Sequence, residues 1–300
     1  MPTARDTSAA GGSRDCGRFF IDIVGHYGPR DVAIQWCDAR RDLPDAVLRL
    51  IERTWAEHSR QAEETKVILF DGPLCRVIDA SGDEKHLSLT LGPTGYKEFL
   101  GTNLARAGLR YTHGDEALAN PLGVSAAVTT ADGYLLLGRR SGRVVHQAGR
   151  IHPLGGMVEP ELPRRRAGQR GDGGGGAPDV FAAIRQELCQ ETNVSPEMVR
   201  DLVCLGLVRD KRIVQPELVF DASLAADAPT LRRLARKAPD AAEHDEMVLL
   251  MNRPSSVVTF MEKHAEILTP VATAALLLHG LRAWGSGWFA SARGYLKTVV

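Results

Sequence analysis

The spacing of apolar residues predicts a chain in which helices and strands are mixed. Apolar side chains recur every three or four positions, the spacing of an amphipathic helix, in several separate segments. The helix predicted at residues 180–192 has Asp179 as its N-cap and ends near Asn193. The predicted helices are residues 43–61, beginning near Pro44, then 94–107, 180–192, a segment that starts at Pro196, and 267–284.

Short runs of β-prone residues lie between these helical patterns and predict strands. The sequence Ala131-Asp132-Gly133 separates two such runs, and its glycine can adopt the positive φ that a tight hairpin requires. Alternation of strands and helices predicts an α/β fold. The predicted strands are residues 18–24, 32–36, 66–70, 74–78, 86–91, 122–129, 134–138, 203–208, 218–222 and 247–251.

Changes in composition divide the chain into a tail and two units. Residues 1–18 are rich in Ser, Gly and charge, and we expect a disordered tail there. Residues 19–112 form the predicted N-terminal α+β subdomain, with the runs at 66–70, 74–78 and 86–91 as a small antiparallel sheet. The main domain is expected at residues 113–290. Its segment 160–178, which holds three consecutive arginines and a four-glycine tract, is predicted to be a flexible insertion.

Composition narrows the classes of partner. The 37 Lys and Arg residues balance 37 Asp and Glu residues, so the formal charge is +0 and no overall field attracts nucleic acid or an anionic membrane. Apolar stretches are too short for a membrane span, and the first twenty residues lack the apolar run of a signal peptide. Five cysteines without a C-x-x-C spacing favour reduced thiols. We therefore expect a cytoplasmic protein without nucleic-acid or membrane partners; protein partners are left open.

Two glutamates in the helix at 180–192 carry the candidate chemistry. Glu187 and Glu191 are four positions apart and project from one side of the helix, next to its apolar stripe. Carboxylates beside a buried face are costly unless a cation is present, which indicates a divalent metal site. Gly155-Gly156, after an apolar run, allows the backbone to approach a phosphate or the metal, and Glu159 lies close by in sequence.

The segments 154–159 and 182–194 together resemble the Nudix box, whose pattern is G-x5-E-x7-R-E-U-x-E-E-x-G-U with U aliphatic. This sequence departs from the pattern at Gln186, Gln190 and Asn193, and by the insertion between the two halves. The resemblance implies a Nudix-like α/β/α sandwich with a mixed sheet, in addition to the N-terminal subdomain. It also implies Mg²⁺, with Mn²⁺ as the alternative ion, and Glu187 and Glu191 as catalytic metal ligands. Replacing a carboxylate by Gln190 is expected to weaken metal binding.

Beyond the box, residues 66–283 resemble one branch of the Nudix superfamily, the UDP-glucose and UDP-galactose diphosphatases. The likeness lies in residues 69–73 (LFDGP), 95–103 (GYKEFLGTN), 120–124 (NPLGV), 138–141 (GRRS) and 155–160 (GGMVEP). It implies an enzyme that hydrolyses a small-molecule nucleotide sugar to UMP and a sugar 1-phosphate. The substrate contacts it implies are Phe70, Tyr96, Arg140, Val145, His152, Met157, Glu159 and Val271.

Several alternatives remain at this point. Residue spacing alone does not specify a base, so another nucleoside diphosphate derivative such as ADP-ribose is an alternative substrate. Gln186, Gln190 and the insertion allow a Nudix-like protein that binds a nucleotide sugar without hydrolysing it. A further carboxylate at the site is expected from Glu217 or Asp245, which the sequence does not separate. His152 is expected to be a hydrogen-bonded structural histidine and not the base.

Overall fold

The computed structural model describes residues 13–65, 67, 69–142, 146–161 and 177–299, with side chains described up to residue 294. The strands are β1 (Arg14–Asp15), β2 (Phe19–Tyr27), β3 (Val32–Trp36), β4 (Pro73–Gly82), β5 (Leu87–Gly95), β6 (Gly123–Thr129), β7 (Tyr134–Arg140), β8 (Ile151–His152), β9 (Leu154–Met157), β10 (Val199–Asp210), β11 (Pro216–Leu224) and β12 (His244–Met251). The helices are α1 (Asp45–Thr65), α2 (Tyr96–Phe99), α3 (Arg110–His113), α4 (Val180–Thr192), α5 (Ala228–Ala235), α6 (Pro254–Lys263) and α7 (Pro270–Val299).

A nine-stranded mixed sheet forms the centre of the protein. Seven strands lie in the order β1-β2-β10-β11-β6-β7-β12, while β8 pairs with β7 and β9 pairs with β6. The β11–β6 pair is parallel, and the other pairs are antiparallel. The predicted hairpin at Asp132-Gly133 is confirmed, because β6 and β7 pair through Val128 with Leu136.

Helices cover both faces of this sheet, which confirms the predicted α/β/α sandwich. Successive side chains of a strand point to opposite faces, so on β11 Leu218 and Phe220 pack with α4 and α5, while Val219 packs with α6 and α7. Both faces are therefore apolar, and the strands read as continuous apolar runs, as expected for strands covered on two sides. Helix α4, which carries the two glutamates, therefore packs directly on one face of the sheet.

A three-stranded sheet of order β3-β5-β4 and helix α1 form a second layer of the N-terminal part. Backbone hydrogen bonds join it to the main sheet region: the Cys75 N–H donates to the Val158 carbonyl at 2.8 Å, and the Leu122 N–H donates to the Cys75 carbonyl at 2.7 Å. Apolar residues of β5 belong to the same core as α4. The N-terminal part therefore packs against the main domain beside the strand that carries Gly155-Gly156.

The structure differs from the predicted organisation of residues 1–112. Strand β2 belongs to the main sheet, where it pairs with β10, so the N-terminal subdomain does not begin at residue 19. Within the predicted tail, Arg14–Asp15 pairs with β2, and residues 1–12 lie outside the described residues. The run at 66–70 is not a strand where it is described, and β3 takes its place in the small sheet by pairing parallel to β5.

Further local differences concern helices. The segment at Pro196 is a single 3-10 turn, Pro196–Met198, that leads into β10, because the β-prone run that follows it joins the sheet. The helical pattern at 94–107 divides into α2 and a π-helical turn, Leu100–Leu104. Helix α7 is broken at Gly285, which has φ 86°. The insertion at 160–178 lies outside the described residues from 162 to 176.

The sequence also predicts reduced thiols and no membrane span. No disulfide bond joins any of the five cysteines, all of which lie in the described ranges. None of the helices in the described ranges is both long and apolar enough to cross a bilayer.

Candidate active site

A cavity of about 760 Å³ opens where β9, α4, β7 and the start of β11 meet. Three of its charged side chains lie at or next to strand ends: Arg140 ends β7, Glu159 follows β9, and Glu217 is the second residue of β11. Six of the predicted substrate contacts line it, and so does one of the two predicted metal ligands. These seven residues are Tyr96, Arg140, His152, Met157, Glu159, Val271 and Glu187.

Helix α4 fixes the positions of the two glutamates. The Asp179 carboxylate accepts hydrogen bonds from the Phe181 and Ala182 N–H groups, and Asn193 ends the helix in the left-handed conformation. Both boundaries match the prediction. Four positions apart, Glu187 and Glu191 lie on the side of α4 that faces β9.

Glu191 is buried, and each of its carboxylate oxygens has one partner in the protein. Only 2 % of its surface is exposed, and its Oε2 accepts a hydrogen bond from the Gly155 N–H at 2.8 Å. Its Oε1 lies 2.7 Å from Nε2 of His244. Burial raises the pKa of Glu191, while the hydrogen bond to His244 lowers it. Two fixed hydrogen bonds hold this carboxylate in one orientation beside Gly155.

Glu187 lies among other acids without a cation. Burial, followed by the negative charges of four other acids, Glu191, Glu243, Asp240 and Glu159, raises the pKa of Glu187 to about 8. Among the described residues, no Lys or Arg forms an ion pair with Glu187. Carboxylates held together in this way repel one another, so the geometry favours a bound divalent cation.

The donor set fits a divalent cation whose coordination is completed by water or by a bound ligand. In the described part of the chain, no three His, Cys, Asp or Glu side chains already converge as a closed metal site. Mg²⁺ commonly keeps several waters and is held by one or two carboxylates together with substrate phosphates. Glu187 and Glu191 are two carboxylates on the side of α4 that faces β9, a pair that such an ion could share with a diphosphate.

The Gly155-Gly156 pair is required by close contacts. Gly155 has φ 153°, and a Cβ there would collide with the Val124 carbonyl. A Cβ on Gly156 would lie 2.5 Å from the carboxyl carbon of Glu187. The missing side chain therefore allows the Glu187 carboxylate to lie against the strand, which is the physical reason for glycine at this position.

Of the two aromatic residues predicted to contact the substrate, Tyr96 lines the apolar part of the cavity and Phe70 does not. Tyr96 packs edge-on against Phe99 with ring centroids 6.1 Å apart, and burial raises its pKa. Met157 and Val271 complete this apolar part. Phe70, by contrast, is 68 % exposed and is not among the described residues that line the cavity. Val145 lies outside the described residues, and its role stays a prediction.

Of the two acids that the sequence left open, Glu217 lines the cavity. It is 6 % exposed, and burial raises its pKa to about 7 while the positive charge of Arg140 lowers it. Asp245 is exposed on β12 and is not part of the described lining. His152 hydrogen-bonds Thr269 through Nδ1 at 2.8 Å. Burial and then the positive charge of Arg140 lower the pKa of His152 well below its ordinary value, which favours the neutral imidazole.

Sequence reasoning missed His244, which holds Glu191. The two residues are 53 positions apart, and His244 opens β12 directly opposite Arg140 of β7. Its ring lies on Gly138, where any Cβ would collide with the imidazole. Gly138 begins the GRRS segment, so a glycine inside an otherwise apolar strand was the available signal that something packs closely there.

Known proteins similar to this chain match it over most of its length. It is 30% identical over 281 residues to the uridine diphosphate glucose pyrophosphatase NUDT22 of Mus musculus, covering 85% of this chain and 87% of that protein. The protein of the same name from Bos taurus is 32% identical over 219 residues, covering 67% and 73%. Nudix hydrolase 9 of Arabidopsis thaliana is 26% identical over 194 residues, covering 56% and 60%. No family model matches the chain.

Proposed function

The chain belongs to the Nudix hydrolases, and from this premise we propose that it hydrolyses UDP-sugars such as UDP-glucose and UDP-galactose to UMP and a sugar 1-phosphate. The observation that carries the proposal is the group of acids around Glu187, which shares one cavity with Arg140 and Tyr96. A cation and a positive side chain both stabilise a bound diphosphate, and an aromatic or apolar wall stabilises a bound uracil ring. The cavity supplies the wall, the side chain and the acids that would hold the cation.

Each residue contributes a separate element of the mechanism. In this proposal Arg140 binds a phosphate oxygen and Tyr96 contacts the base. Glu187 and Glu191 would hold Mg²⁺, which, when bound, neutralises charge on the diphosphate. Glu217 is the general base that we propose, because a carboxylate with a pKa of about 7 both accepts a proton and is ionised near neutral pH. It would remove a proton from the water that attacks phosphorus.

The relatives support a small-molecule substrate, since two of them are named as UDP-glucose pyrophosphatases. The lack of disulfide bonds among the five cysteines, all within the described ranges, supports a cytoplasmic location. The balanced charge supports the absence of a nucleic-acid partner.

The test is a product assay with Mg²⁺ and three nucleotides: UDP-glucose, UDP-galactose and ADP-ribose. We expect UMP and glucose 1-phosphate from UDP-glucose, resolved by phosphorus NMR, and incorporation of oxygen-18 from labelled water into one product. Glu187→Gln and Glu191→Gln are each expected to reduce kcat/KM by at least about 100-fold. Glu197→Gln, at an exposed position just after α4, is the matched control and should keep full activity.

The same assay separates the alternatives. Faster cleavage of ADP-ribose would transfer the proposal to another nucleoside diphosphate derivative. Binding of UDP-glucose by calorimetry without any product would support the non-catalytic binder and end the hydrolase proposal.

A further inference from the structure

A second cavity, of about 680 Å³, adjoins the candidate active site. His146, Gln147, Asp210 and Ile213 line both cavities, so a ligand in one can extend into the other. We call this second space the basic cavity. Its charged lining consists of Arg18, Arg150, Lys211, Arg212, Asp210 and Glu266.

The basic cavity has four cations and two acids, and one of the acids, Asp210, interacts with the charges of Arg18 and Arg212. One oxygen of the Asp210 carboxylate, Oδ1, accepts hydrogen bonds from the N–H groups of Arg212, at 2.6 Å, and Ile213, at 3.1 Å. Glu266 is exposed, and Arg150 bonds to its backbone carbonyl, at 2.7 Å, and not to its carboxylate. Neither acid forms an ion pair with a cation of this cavity among the described residues. The cavity therefore has an excess of positive charge.

Two of the cations keep donors for a ligand. Arg18 uses its terminal nitrogens on the carbonyls of Ala265 and Leu268, and Lys211 pairs with Asp15. Arg212, in contrast, is exposed, and its guanidinium makes no hydrogen bond within the described residues. Arg150 has donors beyond its single bond to a carbonyl. These two arginines can therefore form new hydrogen bonds to an anion.

His146 lies where the two cavities meet and reports the local charge. Its Nε2 is buried and has no partner among the described residues. Burial, followed by the positive charges of Arg140, Arg212 and Arg150, lowers the pKa of His146 to about 4. Three guanidinium groups therefore act on one neutral imidazole that has an unused polar atom. An anion placed among them would be stabilised by all three.

We propose that the basic cavity is a subsite for a second anionic group on the substrate, beyond the diphosphate, bound chiefly by Arg150 and Arg212. The preferred substrate is then a nucleotide sugar whose sugar carries a carboxylate. The placement of the diphosphate beside Glu187 rests on the proposed function, whereas the charge of the basic cavity does not. A phosphate ester on the nucleoside has the same anionic chemistry and is the other source of such a group.

The experiment compares acidic substrates with their neutral counterparts. UDP-glucuronate against UDP-glucose tests an acid on the sugar, and 2′-phospho-ADP-ribose against ADP-ribose tests an acid on the nucleoside. We expect wild-type kcat/KM for UDP-glucuronate to exceed that for UDP-glucose, with a ratio that falls as salt is raised. Arg212→Gln should lower this ratio several-fold, and Arg150→Gln/Arg212→Gln should lower it about tenfold or more.

Arg200→Gln is the matched control, because Arg200 is an exposed arginine of β10 outside both cavities. Its ratio should equal that of the wild type. Wild-type preference for UDP-glucose, or an unchanged ratio in the double variant, would overturn the proposal. A preference confined to 2′-phospho-ADP-ribose would retain the subsite and reject the sugar acid.

Failure of the proposed function can be distinguished from failure of the subsite. If neither UDP-sugar is hydrolysed, the proposed function fails, and calorimetric binding of UDP-glucuronate and UDP-glucose still decides the subsite. Tighter binding of UDP-glucuronate that is lost in the double variant would support it, and equal binding would overturn it.

Discussion

Replacing Glu187 by Gln should stabilise the metal-free protein, and more strongly at pH 8 than at pH 5. Glu187 has an ordinary pKa of 4.5 and a folded pKa of about 8, raised first by burial and then by neighbouring acids. Since the charged form is disfavoured in the folded state, ionisation opposes folding. The cost begins as pH rises above the unfolded pKa and is complete above the folded one.

The size of the effect follows from the two pKa values. From these two values, ionisation of Glu187 lowers the free energy of unfolding by about 1 kcal/mol at pH 5 and by about 4 kcal/mol at pH 8, a difference of about 3 kcal/mol. Relaxation and water near the partly exposed carboxylate reduce this figure, so we expect a measured difference of about 2 kcal/mol. Glutamine has nearly the same shape and no charge, which removes the cost without leaving a cavity.

Urea unfolding with EDTA at the two pH values measures the effect. The midpoint of Glu187→Gln should exceed that of the wild type, with the larger gain at pH 8. Adding Mg²⁺ should then stabilise the wild type and have a much smaller effect on the variant, because ligand binding to the folded state adds to stability. Glu197→Gln, which removes an exposed carboxylate, is the control. An equal or lower midpoint for Glu187→Gln at pH 8 would refute the reasoning that burial and neighbouring negative charges disfavour the ionised form of Glu187.

Three further substitutions test other parts of the site. His244→Ala should release Glu191 and so raise the Mg²⁺ concentration needed for half-maximal activity by about 10- to 100-fold; an unchanged Mg²⁺ titration would contradict this. Gly156→Ala should reduce kcat by about 100-fold, because its Cβ would displace the Glu187 carboxylate; circular dichroism should show a folded protein, and full activity would disprove the contact. Asp179→Ala should lower the free energy of unfolding by about 1 kcal/mol through loss of the N-cap, and urea midpoints equal to wild type would exclude the cap.

The sequence predicted those parts of the candidate site that depend on residues close together in the chain. The four-residue spacing of Glu187 and Glu191 places them on one face of α4, and Gly156 leaves room for a carboxylate. Spacing did not distinguish Glu217 from Asp245, since both begin strands and both are acids. Only the pairing of β11 with β6 directs Glu217 into the cavity, while Asp245 on the edge strand β12 remains exposed.

The sequence by itself determined the elements whose causes are local. Helix α4 follows from its apolar period and the Asp179 cap, and the β6–β7 hairpin follows from Asp132-Gly133. Tertiary structure decided the rest: β2 joined β10 across most of the chain, and β3 replaced the run at 66–70 in the small sheet. It also brought His244 to Glu191 from 53 positions away. Such pairings are set by loop closure and the packing of whole faces, which apolar periodicity within one segment does not encode.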